Sequence, residues 1–178
     1  MRKIIIICVC ALASFIMFYA CDTNAKDATE SKKESYELYA CGLNPLETRS
    51  APKTISYLFS GDDILWFDTN SREIKFKEMV EPLNKRLQPF QEIEFYLGDK
   101  TLFVVSSFVV PWDSRVFDNL VLCYGCQNPF EVNENYYLYD CYPYQFSDSE
   151  QVKANRKKNA DSWDLFIKYL ESKNKLKK

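Results

Sequence analysis

Four cysteines beyond the N-terminal region have the type and spacing that best fit covalent or metal chemistry: Cys41, Cys123, Cys126 and Cys141. Cys123 and Cys126 form a CxxC motif, but redox catalysis by such a motif relies on a helix N-terminus to activate the thiol. A predicted strand leads into this motif and Pro129 follows it, so we expect no helix there. A four-cysteine zinc site needs a second closely spaced pair, which the isolated Cys41 and Cys141 do not provide. We therefore predict structural disulfides or buried free thiols, with the pairing open, and no metal ion or cofactor. Zinc and redox roles are minor alternatives.

The sequence contains no histidine. Ser–His and Cys–His nucleophilic machinery and the most common metal ligand are therefore excluded. Carboxylates remain the possible acid–base groups, as in glycosidases, and the candidates are Asp62, Asp63, Glu92, Glu94 and Asp140. Turn positions and the polar face of a strand account for these acids without catalysis. A carboxylate-based hydrolase is therefore an alternative rather than the leading hypothesis.

Aromatic residues are abundant, with 13 Phe, 12 Tyr and 3 Trp. The segment from Tyr136 to Phe146 would place aromatic rings on both faces of one strand. One face must meet the core, whereas the other can expose tyrosines, which supply rigid contact area and a polar tip. The candidate ligand-binding residues are Trp66, Trp112, Tyr137, Tyr139, Tyr142 and Tyr144. The alternative is that all of these rings fill or cover a two-layer core.

The N-terminus has the layout of an export signal. Arg2 and Lys3 precede a largely apolar run that ends at Ala20, and Cys21 follows directly before the chain becomes polar. This pattern resembles the lipobox of bacterial lipoproteins, although Tyr19 is larger than the residue which that motif prefers. The resemblance implies removal of residues 1–20 and lipidation of Cys21. An uncleaved membrane anchor and ordinary secretion are the alternatives.

The remaining chain divides into a tether and one domain. Residues 21–53 are interpreted as a lipidated flexible tether and lead-in, because the part up to Ser35 is polar and lacks aromatic residues. Residues 54–178 are interpreted as a single domain. The formal net charge is −2, and only the C-terminal segment is distinctly basic. This balance does not suggest nucleic acid as a partner.

The domain is predicted to be α+β, with a mainly antiparallel sheet of about six or seven strands in hairpins, a short internal helix and a C-terminal helix packed on the sheet. The strands expected after the first hairpin include Glu92–Leu97, a central strand Thr101–Val110, and two more at Asn119–Tyr124 and Asn135–Cys141. The short helix is expected within Met79–Leu87.

The C-terminal helix is predicted from its cap and its apolar stripe. Ser147 and Glu150 have capping-box spacing, and an apolar stripe extends from Trp163 to Leu170. Because Asp161 can also cap a helix, one kinked helix and two short helices both remain open.

Three segments together resemble small lipoproteins of gut Bacteroidales, a group without an established activity: Tyr19–Cys21, the hairpin Gly61–Lys77 and the helix Trp163–Leu170. The resemblance implies a Gram-negative envelope location in the outer membrane, with the face of the membrane open. The leading hypothesis is a non-enzymatic binding or accessory module, anchored to the membrane by lipid, with another envelope protein or a glycan as its partner. A periplasm-facing structural or inhibitor-like protein is the second alternative, beside the hydrolase.

Overall fold

The computed structural model describes residues 36–43, 55–110, 113–125 and 133–177. In these ranges the chain forms ten β-strands, two α-helices and two 3₁₀ helices. The prediction of an α+β domain dominated by antiparallel pairing is confirmed. The strand number exceeds the expected six or seven partly because β7 (Phe108–Val109) and β10 (Leu176–Lys177) are too short to produce an alternating pattern.

A four-stranded antiparallel sheet has the order β2-β1-β5-β6. Its strands are β1 (Leu38–Leu43), β2 (Ile55–Ser60), β5 (Glu92–Leu97) and β6 (Lys100–Val105). The β5–β6 hairpin agrees with the prediction, and its turn uses Gly98 at a φ of 58°, where glycine carries no Cβ penalty.

The first strand corrects the predicted start of the domain at residue 54. β1 (Leu38–Leu43) is an internal strand, paired with both β2 and β5, so the folded domain includes residues that were assigned to the lead-in. The sequence did not indicate this strand because Leu38–Leu43 is apolar at nearly every position and lacks the alternation of a half-buried strand.

A six-stranded mixed sheet has the order β10-β3-β4-β9-β8-β7. The strands not yet given are β3 (Ile64–Asp68), β4 (Glu73–Phe76), β8 (Val121–Tyr124) and β9 (Tyr136–Tyr139). The three inner pairs are antiparallel, whereas β10–β3 and β7–β8 at the two ends are parallel.

The expected single strand Thr101–Val110 is wrong, because the chain passes from one sheet to the other within it. β6 ends at Val105 at the edge of the four-stranded sheet, and β7 begins at Phe108 in the six-stranded sheet. Between them the Ser106 amide donates to the Leu120 carbonyl at 2.7 Å. The run is apolar because it contributes to both sheets, not because one central strand is covered on both faces.

Two helices complete the domain. α1 spans Leu83–Leu87 and starts later than expected because its N-cap, Pro82, has an extended ψ of 132°. α2 spans Glu150–Ser172 as one helix, which settles the choice between one helix and two. None of the helices in the described part of the chain is long and apolar enough to cross a membrane.

The predicted cap of the C-terminal helix is wrong by two residues. Ser149, not Ser147, precedes the helix in an extended conformation, and its side chain accepts the Val152 amide at 3.3 Å. Ser147 ends the preceding 3₁₀ helix with a φ of −55° and a ψ of −25°. An N-cap needs a non-helical backbone, so Ser147 cannot serve.

The main core lies where α2 meets both sheets. Phe166 is fully buried, and its ring centroid lies 5.6 Å from Phe67 of the six-stranded sheet. The same centroid lies 6.1 Å from that of Phe95 and 5.6 Å from that of Phe103, both in the four-stranded sheet. These edge-on contacts are the favoured geometry for aromatic pairs. One helix side chain thus joins the two sheets.

Candidate functional site

β9 directs its aromatic residues to two different faces of the six-stranded sheet. Tyr136 and Leu138 belong to the main core, whereas Tyr137 and Tyr139 belong to a second, smaller cluster that includes Val109. Tyr137 is 0 % exposed, and its ring stacks on Tyr139 with centroids 5.4 Å apart. Tyr137 therefore supports the outer ring of Tyr139 and does not itself reach a ligand.

Three of the four predicted tyrosines lie at the end of β9 and in the segment that follows it. We name Tyr139, Tyr142 and Tyr144 the tyrosine surface. Tyr139 and Tyr142 are half-buried against the second cluster, and the ring of Tyr144 lies 5.3 Å from that of Tyr139. Tyr144 begins a 3₁₀ helix and is 61 % exposed. The most exposed of the three rings therefore lies on a short 3₁₀ helix.

The backbone around Tyr142 is fixed by pairing with an earlier segment. Its amide donates to the Phe117 carbonyl at 2.9 Å, and the Phe117 amide donates back at 2.7 Å. Phe117 also packs on the second cluster. This bridge holds the chain that leads into the tyrosine surface.

Charged side chains border the tyrosine surface. We name Arg72, Asp140 and Arg156 the arginine–aspartate network. Arg72 Nη2 and Arg156 Nε donate to the same Asp140 oxygen, Oδ2, at 3.0 Å and 2.9 Å. Tyr144 lies close enough to the Arg72 guanidinium to interact with it electrostatically. Asp140 directly follows Tyr139 in the chain, so the network places groups that can donate and accept hydrogen bonds next to the tyrosine surface.

Three separate elements position the network. Arg72 lies in the turn before β4 at a φ of 63°, Asp140 follows β9, and Arg156 lies on α2. The Leu138 amide donates to the Arg72 carbonyl at 2.9 Å, which ties the turn to β9. Burial lowers the pKa of the Arg72 guanidinium, and the Asp140 carboxylate opposes that change. The Arg72 Nη1 atom is buried without a hydrogen-bond partner among the described residues.

Of the two tryptophans proposed for the surface, the structure describes Trp66, whose ring has a different partner. Trp66 lies on β3, where the Lys177 Nζ atom stands 4.3 Å from its ring centroid. This contact explains a partly exposed Trp66 without a ligand. Trp112 lies outside the described residues.

The acidic candidates other than Asp140 have local structural roles. Asp63 Oδ2 accepts both the amide and the hydroxyl of Ser60, which completes a capping box on the 3₁₀ helix Gly61–Asp63. Glu94 accepts a hydrogen bond from the Tyr96 hydroxyl on the outer face of β5. Glu92 is exposed at the start of β5, and Asp62 is exposed within the 3₁₀ helix.

Two of the four cysteines are buried free thiols, which is one of the two predicted alternatives. Cys41 and Cys141 are buried free thiols, and burial raises the pKa of each. A raised pKa disfavours the thiolate, so neither is set up as a nucleophile. Cys123 is buried in the second cluster, and Cys126 lies outside the described residues.

Sequence reasoning missed Arg72, Arg156 and a second aromatic pair, Tyr39 and Tyr96. The latter rings stack across β1 and β5 with centroids 4.9 Å apart. The one sequence signal for this pair was the predicted alternation of β5, which could have placed Tyr96 on the outer face of the sheet. Nothing local indicated Arg72, because its partner Asp140 lies in a distant part of the chain.

The fold and the site thus define an α+β domain that carries a small aromatic and charged surface. Comparison with protein-family models, with curated proteins and with solved structures finds no match to this chain. Functional inference therefore rests on the geometry of its own residues.

Proposed function

We propose that this chain is a lipid-anchored envelope protein whose domain binds a glycan through the tyrosine surface and the arginine–aspartate network. The observation that carries the proposal is the 61 % exposed ring of Tyr144 beside Tyr139 and the Asp140 carboxylate bound by two arginines. Binding sites generally combine apolar or aromatic contact area with a few polar groups that fix orientation. A sugar offers both an apolar ring face and hydroxyl groups.

The size of the surface favours a glycan over a protein as the ligand. The large exposed rings here are Tyr144 and Phe146, at 61 % and 50 %. A stable protein interface buries roughly 800 Å² on each partner. Two rings on one turn are closer to the contact area of one or two sugar units.

Membrane attachment is the second part of the proposal, and it rests on the sequence. Cys21 lies outside the described residues, and the basic and apolar stretch before it supports cleavage and lipidation at that cysteine. Lipidation with more than one acyl chain would give stable anchoring. Intact-mass measurement of the native product tests this. An added lipid mass that Cys21→Ser abolishes is expected, and an unmodified Cys21 thiol would contradict it.

Glycan binding is tested by applying the purified full-length chain and two variants to a glycan array. Tyr144→Ala should lose the signals of the intact chain, because it removes the exposed stacking ring. Tyr57→Ala is the matched control, since Tyr57 is 56 % exposed on β2 and lies outside the proposed site. Retention of every signal by Tyr144→Ala, or binding to a protein partner with no glycan signal, would contradict the proposal.

A further inference from the structure

A groove of about 600 Å³ lies where β4, α1 and the neighbouring ends of β8 and β9 meet. This volume is within the range of roughly 300–1,000 Å³ found for small-molecule sites. None of the candidate residues from the sequence lines it, and neither does any member of the tyrosine surface. It is therefore a separate concave site.

Three lysines and two glutamates line the groove. Lys75, Lys77 and Lys85 line it, and all three are exposed, so their ammonium groups can move toward a ligand. Glu78 and Glu134 also line it. The local surplus is positive although the whole chain has a formal net charge of −2. A local field of this sign attracts anions.

The aromatic wall of the groove supplies further donors. Tyr136 is 9 % exposed, its ring lies 5.0 Å from that of Tyr124, and both line the groove. The backbone amide of Asn84 acts on the Tyr136 phenol in the direction that lowers its pKa, against the larger effect of burial, and the phenol keeps a hydrogen that it can donate. Burial raises the pKa of both phenols, which keeps their protons in place.

We infer that this groove binds a small organic anion of sugar size, whose acidic group contacts Lys75, Lys77 and Lys85 and whose body lies against Tyr124 and Tyr136. The three ammonium groups and the two phenols make the lining rich in donors, which fits a ligand rich in acceptor oxygens. Glu78 and Glu134 can accept hydrogen bonds from hydroxyl groups on the body of the ligand. The inference is independent of the glycan site at Tyr144.

Four small probes separate the acidic group from the body of the ligand. Glucuronate and glucose phosphate carry both parts, glucose lacks the acid, and acetate lacks the body. The full-length chain is titrated with each while the ring signals of Tyr124 and Tyr136 are followed by NMR. At least one of the two sugar anions should bind and shift these signals, with glucose and acetate weaker by about tenfold or more.

Variants test which residues are responsible. The triple change Lys75→Gln, Lys77→Gln and Lys85→Gln should lower the affinity for the sugar anion by about tenfold or more. The matched control is Lys157→Gln with Lys158→Gln, two exposed lysines on α2, and should leave binding unchanged.

Several results would overturn the inference. The first is that neither sugar anion binds, and the second is that glucose binds as tightly as the sugar anions. The third is that acetate binds as tightly, which would mean an adventitious ion only, and the fourth is that the control variant weakens binding as much as the triple variant. Tyr136→Phe provides an independent check, because it removes only the hydroxyl. It should lower the affinity for the sugar anion while the circular dichroism spectrum stays that of the folded chain. Unchanged affinity would contradict the inferred contact between the ligand and Tyr136.

Discussion

The guanidinium group of Arg72 lies 4.2 Å from the centre of the Trp163 ring, while the same group is bound to Asp140. We predict that Arg72→Met lowers the free energy of unfolding by about 2 kcal/mol, because it removes a cation–π contact and leaves a largely buried carboxylate with one partner fewer. Arg156→Met removes the more exposed partner of Asp140 and should cost less than about 1 kcal/mol. Urea unfolding of both variants checks this order, and equal losses would contradict the distinct role of Arg72.

The start of α2 gives a second prediction. Ser149→Ala should lower the free energy of unfolding by about 1 kcal/mol, because the Ser149 hydroxyl accepts the Val152 amide. Ser147→Ala is the matched control, since Ser147 has a helical backbone and precedes the cap. Thermal unfolding distinguishes the two variants. A larger loss of stability from Ser147→Ala would contradict the assignment of Ser149 as the cap of α2.

Alkaline pH should destabilise the fold. The Glu94 hydrogen bond, with burial, raises the pKa of Tyr96 to about 12, and burial raises the pKa of Cys41 and Cys141. In the unfolded chain tyrosine loses its proton at about pH 10 and cysteine at about pH 8.5. Above those values the unfolded state binds fewer protons than the folded state, so the free energy of unfolding falls as pH rises.

Urea unfolding at about pH 8 and at about pH 10.5 measures this loss. Tyr96→Phe serves as the control, because it removes one of the groups and should reduce the difference between the two conditions. Stability that is constant or rises over the interval would show that the phenols and thiols are not held in their protonated forms.

Thiol accessibility tests the free-thiol assignment directly. Iodoacetamide should leave Cys41 and Cys141 unmodified in the folded chain and should alkylate both in denaturant without a reducing agent, because both are buried free thiols. Peptide mass mapping reads each site separately. Resistance to alkylation in denaturant until a reductant is added would instead indicate a disulfide.

Local pattern was enough for the elements whose own sequence shows a clear period or turn residue. The β5–β6 hairpin follows from alternation and from Gly98, and α2 follows from its apolar stripe. β1 could not be predicted in this way, because Leu38–Leu43 is apolar at nearly every position and therefore has no alternation to detect.

The candidate site was predicted only in part for a related reason. The cluster from Tyr139 to Tyr144 is close in sequence, so its concentration of tyrosines was visible. Its charged border is not, because Arg72, Asp140 and Arg156 come from three elements that only the packing of β9, the β3–β4 turn and α2 brings together. The burial of Tyr137 likewise depends on Val109 and Phe117, which are distant in sequence.

The most direct measurement of the central claim compares Tyr144→Phe with Tyr144→Ala for the glycan identified on the array. If the exposed ring provides the contact, Tyr144→Phe should keep most of the affinity and Tyr144→Ala should lower it by about tenfold or more in a calorimetric titration. Equal affinities for the intact chain and Tyr144→Ala would show that the ring does not bind the glycan.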